Sequence, residues 1–364
     1  MNFLPLLLKT AGFRRGGLKR KSSRSKRWSK SAQTIFASWA VIGQLGAIGV
    51  LVGEVFEPQL AKANPPMAGD SSGTATSNGS GSFAIGRSAT TGDAFRSSAL
   101  GFGANASGNY STASGTRANA SGNYSTASGT RATASGRRST ASGYLATASG
   151  DYSTASGYKA TSSSNSATAI GSAAKALDRG ATALGARATA SGVYSQASGS
   201  FSEASGDRSQ ASGYEANASG DYSQASGYEA NASGDYSTAS GTRANASGDY
   251  STASGYQANA SGNFSQASGY QSSAIGNYSQ ALGFLANASK GNSLALGTSA
   301  RSKFADSTAI GAKSATTRAD QIVLGTTSTE LTVANLSGTG TELVVANGDG
   351  TLSRSTISAT TINS

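Results

Sequence analysis

The sequence predicts an all-β fold, a parallel β-solenoid (β-roll) of 14-residue coils, and three observations carry that expectation. From Phe102 to Gly325 the chain divides without insertion into 32 consecutive units of seven residues, with Gly in seventh place in 27 of them. Ala stands fifth in 28 units, and the third place is Ala or Ser in all but one, which has Gln321. Small residues therefore recur at places three, five and seven, a spacing of two, which is the period of a strand. A heptad seam would need large apolar residues three and four apart. Frequent Gly, Asn, Ser and Thr oppose a helix as well.

The third place mostly alternates, Ser in "DYSTASG" (Ser237) and Ala in "TRANASG" (Ala244), so the true repeat is 14 residues and occurs 16 times. We call the two kinds of strand Ser-type and Ala-type. Two strands and two turns per copy make one coil, hydrogen-bonded to the next in parallel register. At ~4.8 Å per coil the 16 copies extend ~75–80 Å. Only methyls and hydroxyls fit between the two sheets of so flat a coil. The seventh-place glycines, among them Gly220, Gly227, Gly234, Gly241 and Gly248, supply a turn geometry that a side chain would resist.

Taken in chain order, residues 1–63 read as an export signal: a basic run "RRGGLKRKSSRSKRWSK", an apolar run Ile35–Gly53 and the A-x-A site Ala61-Lys62-Ala63, with cleavage expected after Ala63. An uncleaved anchor is the alternative, since 19 largely apolar residues just span a bilayer. Residues 64–83 have no period and read as a flexible linker. Residues 84–325 hold the repeats. Residues 326–364 carry two related runs, "ELTVANL" and "ELVVANGDG"; Val344 and Val345 enter a turn at Asn347-Gly348, and the segment is expected to be a small β cap or collar. Residues 326–364 show neither heptads nor amphipathic anchor strands, so membrane contact is expected only through the leader or through an anchor absent from this segment.

Composition removes whole classes of chemistry. The chain has no Cys and no His, so thiolate metal sites, Cys nucleophiles and His-based triads are excluded; no metal site, cofactor or enzymatic centre is expected. The formal charge of +11 belongs mostly to the leader, which holds 11 Lys/Arg against 2 acidic residues and leaves 18 against 16 for the remainder. No nucleic-acid role is expected.

The sixth place points away from the Ala lining and is usually Ser. Leu100, Ile170, Leu184, Leu282, Leu296, Ile310 and Leu324 occupy it on Ser-type strands, against only Ile275 and Leu177 on Ala-type strands. Aliphatic residues biased to the outer face of one sheet predict self-association through that face. A Thr/Gln column in fourth place, with Gln196, Gln210 and Gln224, accompanies them. Stacking also makes columns of tyrosine at the turns. Tyr222, Tyr236 and Tyr250 form one, continued by Phe264 and Tyr278; Tyr214, Tyr228, Tyr256 and Tyr270 contribute to a second. They are candidate binding columns for an extracellular protein or glycan, with self-stacking that stiffens the turns as the plainer reading. Asp207, Asp221, Asp235 and Asp249 form a third column, read as turn capping.

"SSAIGNYSQALG" (272–283) and "STAIGAKSATT" (307–317), among many "AxASG" units, resemble the head-domain repeats of YadA-like trimeric autotransporter adhesins. The resemblance implies a left-handed parallel β-roll, a homotrimer, an extended signal peptide and a cell-surface or extracellular role in attachment to cells, matrix or surfaces. Two other functions remain open on the residues. Thr112, Thr126, Thr140 and Thr154 form the regular column of an ice-binding solenoid, and a repetitive chain also serves as a passive spacer or matrix protein.

Overall fold

The computed structural model describes residues 75–329, Gly348, and the backbone of two later strands, Glu342–Ala346 and Leu352–Ser358. All of these lie in the unit Gln59–Ser364. The expected leader and the first part of the expected linker lie outside the described residues. Among the described residues the regular elements are strands, and no helix is long and apolar enough to cross a membrane.

The Ser-type strands, each of three residues, form one parallel sheet of 18 strands from Phe83–Ile85 to Ile322–Leu324. The Ala-type strands, two residues each, form a second parallel sheet of 14, from Asn119–Ala120 to Arg301–Ser302. Register is constant. Thr112, Ala113 and Ser114 lie opposite Thr126, Ala127 and Ser128, and the same offset of one repeat recurs coil after coil, so equivalent residues lie over one another. The protein is thus a parallel β-solenoid whose chain passes alternately through the two sheets.

The lining is what the sequence pattern requires. Fifth-place alanines such as Ala113, Ala120, Ala239 and Ala246 are fully buried, and so are the third-place residues Ser237 and Ala244. Among the described residues the largest fully buried side chain is a threonine, Thr91. Methyls hide little apolar area per coil at about 25 cal/mol per Å², so the backbone ladders between coils and the contacts at the turns carry a large share of the cohesion. The buried hydroxyls differ along the stack. Those of Ser202 and Ser272 donate to the carbonyls of Gly199 and Gly269 at 2.9 and 3.1 Å, whereas those of Ser223, Ser237 and Ser251 have no partner.

The two turns of a coil are built differently. After each Ser-type strand the glycine has φ between +112° and +140° from Gly101 to Gly311, as at Gly227 and Gly241. That region is essentially open to glycine alone. After the Ala-type strands, Gly220, Gly234 and Gly248 have no positive φ; there a Cβ would lie 2.1 Å from the carbonyl oxygen of the glycine one coil on. Conformation fixes the first set and close approach of backbones fixes the second. In both turns the left-handed conformation falls on the second place of the unit, where Tyr222 and Tyr236 have φ of 58° and 55° and Arg117 and Arg131 have 56° and 57°. Each such residue donates its N–H to the preceding coil, Tyr222 to Asp207 O and Arg131 to Thr116 O, both at 2.8 Å.

The stack begins earlier than residue 84. Thr76–Ser77 pairs in parallel with Thr90–Gly92, within the segment expected to be a linker, and Phe83–Ile85 pairs with Ser98–Leu100. Ile85 lies 15 residues from its partner Leu100 instead of 14, and the register slips between Thr76 and Ser77. One extra residue hides the period from a seven-residue count. At the other end, Glu342–Ala346 and Leu352–Ser358 pair antiparallel, with Val344 opposite Arg354 and Ala346 opposite Leu352. The strand Glu342–Ala346 therefore leads into the place where the sequence puts a turn, Asn347-Gly348.

Candidate functional site

The chain presents rows of side chains along two turn edges and two sheet faces. The first edge follows the Ser-type strands and the second follows the Ala-type strands. Parallel register sets the spacing of every row.

On the second edge, Tyr222, Tyr236, Tyr250, Phe264 and Tyr278 form one continuous stack, with successive ring centroids 4.8, 4.8, 4.9 and 5.1 Å apart and planes within 5°. The left-handed backbone at each ring turns all five the same way. Arg208 caps the stack, its guanidinium 5.2 Å from the Tyr222 centroid and hydrogen-bonded to the phenol oxygen. On the first edge, Tyr214 and Tyr228 stack at 5.2 Å, and Tyr256, Tyr270 and Phe284 at 5.0 Å per step; Thr242 separates the two groups. The eight candidate tyrosines are exposed, from 40% at Tyr222 to 59% at Tyr278. Self-stacking and exposure therefore coexist.

The aspartate column is a capping ladder. An Oδ1 of Asp221, Asp235 and Asp249 accepts the backbone N–H of Asp207, Asp221 and Asp235 in turn, at 2.8 to 3.0 Å, and Asn123, Asn263 and Asn277 do the same elsewhere on this edge. On the first edge Arg243 Nε donates to Glu229 at 2.8 Å and holds its carboxyl below the usual carboxylate range. The hydrogen bond of Tyr228 to Glu229 pushes its phenol up, as that of Tyr214 to Glu215 does.

On the outer face of the Ser-type sheet, Ile170, Leu184, Leu296 and Leu324 are exposed, and Leu100, Leu282 and Ile310 are half-buried. Ile170 lies opposite Leu184, and Leu282, Leu296, Ile310 and Leu324 follow one another in register, so these residues form clusters.

Cation–aromatic contacts are a feature the sequence reading missed. Arg138 lies 5.7 and 5.5 Å from the rings of Tyr124 and Tyr152, and Arg179 lies 5.2 Å from Tyr194. For Arg138 the available signal was Arg and Tyr sharing the second place in successive copies, whereas Arg179 stands one place before that of Tyr194. A shallow groove of about 550 Å³ is lined by Gln271, Leu285, Asn287, Arg301 and Lys303, with no carboxylate among its lining residues. Among the described residues no three acidic side chains gather closely enough to hold a metal ion.

Fold and surface together define a repetitive β-solenoid that offers rows in place of a cleft. The family model of the YadA head domain repeat matches residues 94–118, 106–132, 120–146, 134–160, 162–188, 204–223, 218–244, 246–265, 267–283 and 285–314, together more than half of the chain. The chain belongs to the YadA head repeat family. Among solved structures it is similar to the collagen-binding domain of the Yersinia adhesin YadA, with 21% identity over 60% of this chain and 82% of that one and a TM-score of 0.19. No curated protein matches it in sequence.

Proposed function

We propose that this chain is the repetitive head of an exported, non-enzymatic surface adhesin or fibre subunit, acting as a homotrimer and attaching to an extracellular protein or glycan through its turn edges. The observation that carries the reading is a set of exposed aromatic rows on both edges, in a chain of this family, next to an outer sheet face whose aliphatic residues call for a partner. Three chains sharing the Ser-type faces would cover Leu100, Ile170, Leu184, Leu282, Leu296, Ile310 and Leu324 and leave both edges outward. Burial of such side chains contributes about 1.5–3 kcal/mol each. The leader supplies export, with cleavage after Ala63, and the hairpin of the last residues serves as a collar on the open end of the stack.

The test combines solution mass with solid-phase binding of the purified full chain to matrix proteins, glycans and cells. A mass of three chains with saturable binding is the expected result. A trimer that binds none of them would be a passive spacer, and a monomer would remove the shared face. Thermal hysteresis would instead identify an ice-binding surface. The threonine column that suggested one does run in register from Thr112 through Thr154 to Thr182, but it gives way to Gln196, Gln210 and Gln224.

A further inference from the structure

We infer that the amino-terminal part of the first edge is a track for a linear sulfated polysaccharide; this names a ligand class for the adhesive role proposed above and rests on it. The charges of the solenoid are sorted in space. Between residues 84 and 202 the only carboxylates are Asp93, Asp151 and Asp178, and all three belong to second-edge turns. The first edge over the same coils carries Arg87, Arg117, Arg131, Lys159 and Arg187 and no acidic residue. They form one line. Arg117, Arg131, Lys159 and Arg187 occupy the left-handed place of their turns, with φ of 53° to 57°. Their amides donate to the preceding coil through Phe102 O, Thr116 O, Tyr144 O and Ser172 O. Arg87 enters the same line, its carbonyl accepting the N–H of Gly103 at 2.9 Å.

At ~4.8 Å per coil the five cations span roughly 34 Å, and the last four stand one, two and two coils apart. A straight row of this kind suits a stiff chain with charges several ångströms apart. Single-stranded nucleic acid suits it poorly, because such binding relies on open rings on which bases stack. Here three of the four rings on this stretch of the edge are occupied by the chain's own cations, Arg87 4.5 Å from the Phe102 centroid, Lys159 5.2 Å from Tyr158 and Arg187 5.2 Å from Phe201, and the fourth, Tyr144, stacks on Tyr158 at 5.6 Å. The ring contact orients Lys159 and Arg187 along the edge, and a cation lying over a ring face still has N–H groups directed away from it, toward a sulfate oxygen. Further along the same edge the track stops at Glu215 and Glu229, which would repel a polyanion.

Binding of the full chain to dextran sulfate and to uncharged dextran tests this. The expected result is selective binding of the sulfated form, weakening with salt at a log–log slope of about −2 to −3 for four or so cations engaged. The triple variant R117Q/R131Q/R187Q is expected to bind at least about tenfold more weakly, and R137Q/R138Q/R179Q, which removes equal charge from the second edge, to stay within about twofold of the parent. Gln already occupies the left-handed place at Gln257 and Gln271, so the fold tolerates it, and circular dichroism checks that. Equal losses in both triples, equal binding of both dextrans, tighter binding of a single-stranded oligonucleotide, or a first-edge triple that changes the solution mass would each overturn the inference. Matrix-protein or cell binding that survives while dextran sulfate binding is absent would remove this track and leave the adhesin reading standing.

Discussion

Seventh-place glycine is one letter serving two physical demands. The five units that lack it end in Ser164, Asp178, Lys290, Phe304 and Arg318, and every one of these is a second-edge turn, where φ is not positive. First-edge turns have glycine without exception from Gly101 to Gly325. Distance alone ranks the turns the other way: a Cβ on Gly234 would lie 2.1 Å from Gly248 O, and one on Gly227 2.5 Å from Gly241 O. Five second-edge turns carry a side chain at this place, so the backbone approach can be relieved there, whereas φ near +140° does not relax without undoing the turn. We therefore expect Gly227→Ser to cost about 3–4 kcal/mol and Gly234→Ser about 1–2 kcal/mol in urea unfolding. Equal costs, or the reverse order, would sink this distinction. The conformation of the second place was not legible in the sequence, because Tyr, Arg, Glu and Gln have no preference for the left-handed region. It is imposed by the inter-coil hydrogen bond that each of them makes.

At the scale of an element, the second-edge stack acts as a strip that ties coils together from outside. Tyr250 has ring neighbours on both sides, Tyr236 at 4.8 Å and Phe264 at 4.9 Å, and aromatic pairs contribute about 0.5–1.5 kcal/mol each beyond burial. Tyr250→Ala is expected to raise the hydrogen-exchange rates of its own and adjacent coils by about ten- to a hundredfold. Tyr194→Ala, which gives up a single cation contact with Arg179, should change them much less. Indistinguishable exchange in the two variants would mean that the stack contributes nothing. The Glu229–Arg243 pair adds a pH dependence. Because the folded pKa of Glu229 is lowered, its contribution is present above the ordinary carboxylate range and lost as pH falls through the lowered value. Tyr228 works at the other end: its raised phenol contributes fully below the ordinary tyrosine value and loses that as pH rises through its folded value. Carboxyl NMR of Glu229 should titrate below an unfolded-chain glutamate, and Arg243→Gln, which removes the largest cause of the lowering and leaves the Tyr228 hydrogen bond, should move the value upward. The columns were legible because a strict 14-residue period with parallel pairing places them; their cation caps were not, because Arg in the same place reads as a solvated charge until its ring neighbour is fixed in space.

At the scale of the whole molecule, the outer face of the Ser-type sheet alternates between greasy and polar stretches. Leu282, Leu296, Ile310 and Leu324 occupy four successive coils, Ile170 and Leu184 two, and the sixth place from Ser198 to Ser268 is serine throughout. The face itself was readable from a spacing of two, since a side chain excluded from the Ala lining has only the outside to occupy. Its partner was not, because a single chain shows which surface is uncovered and nothing of what covers it. If the face joins three chains, its cohesion is concentrated in the clusters, and the carboxy-terminal one should dominate. L282S/L296S removes two side chains per subunit, each contributing about 1.5–3 kcal/mol when buried, and should bring the sedimentation mass from three chains to one at micromolar concentration. The strand signal in circular dichroism should persist, since neither residue reaches the lining. Ile275→Ser, which removes a more exposed aliphatic residue (48%, against 40% at Leu296) from the opposite sheet, should leave the mass unchanged. Dissociation by Ile275→Ser, or an intact trimer in L282S/L296S, would move the shared surface off the Ser-type face and with it the assignment of both turn edges to solvent.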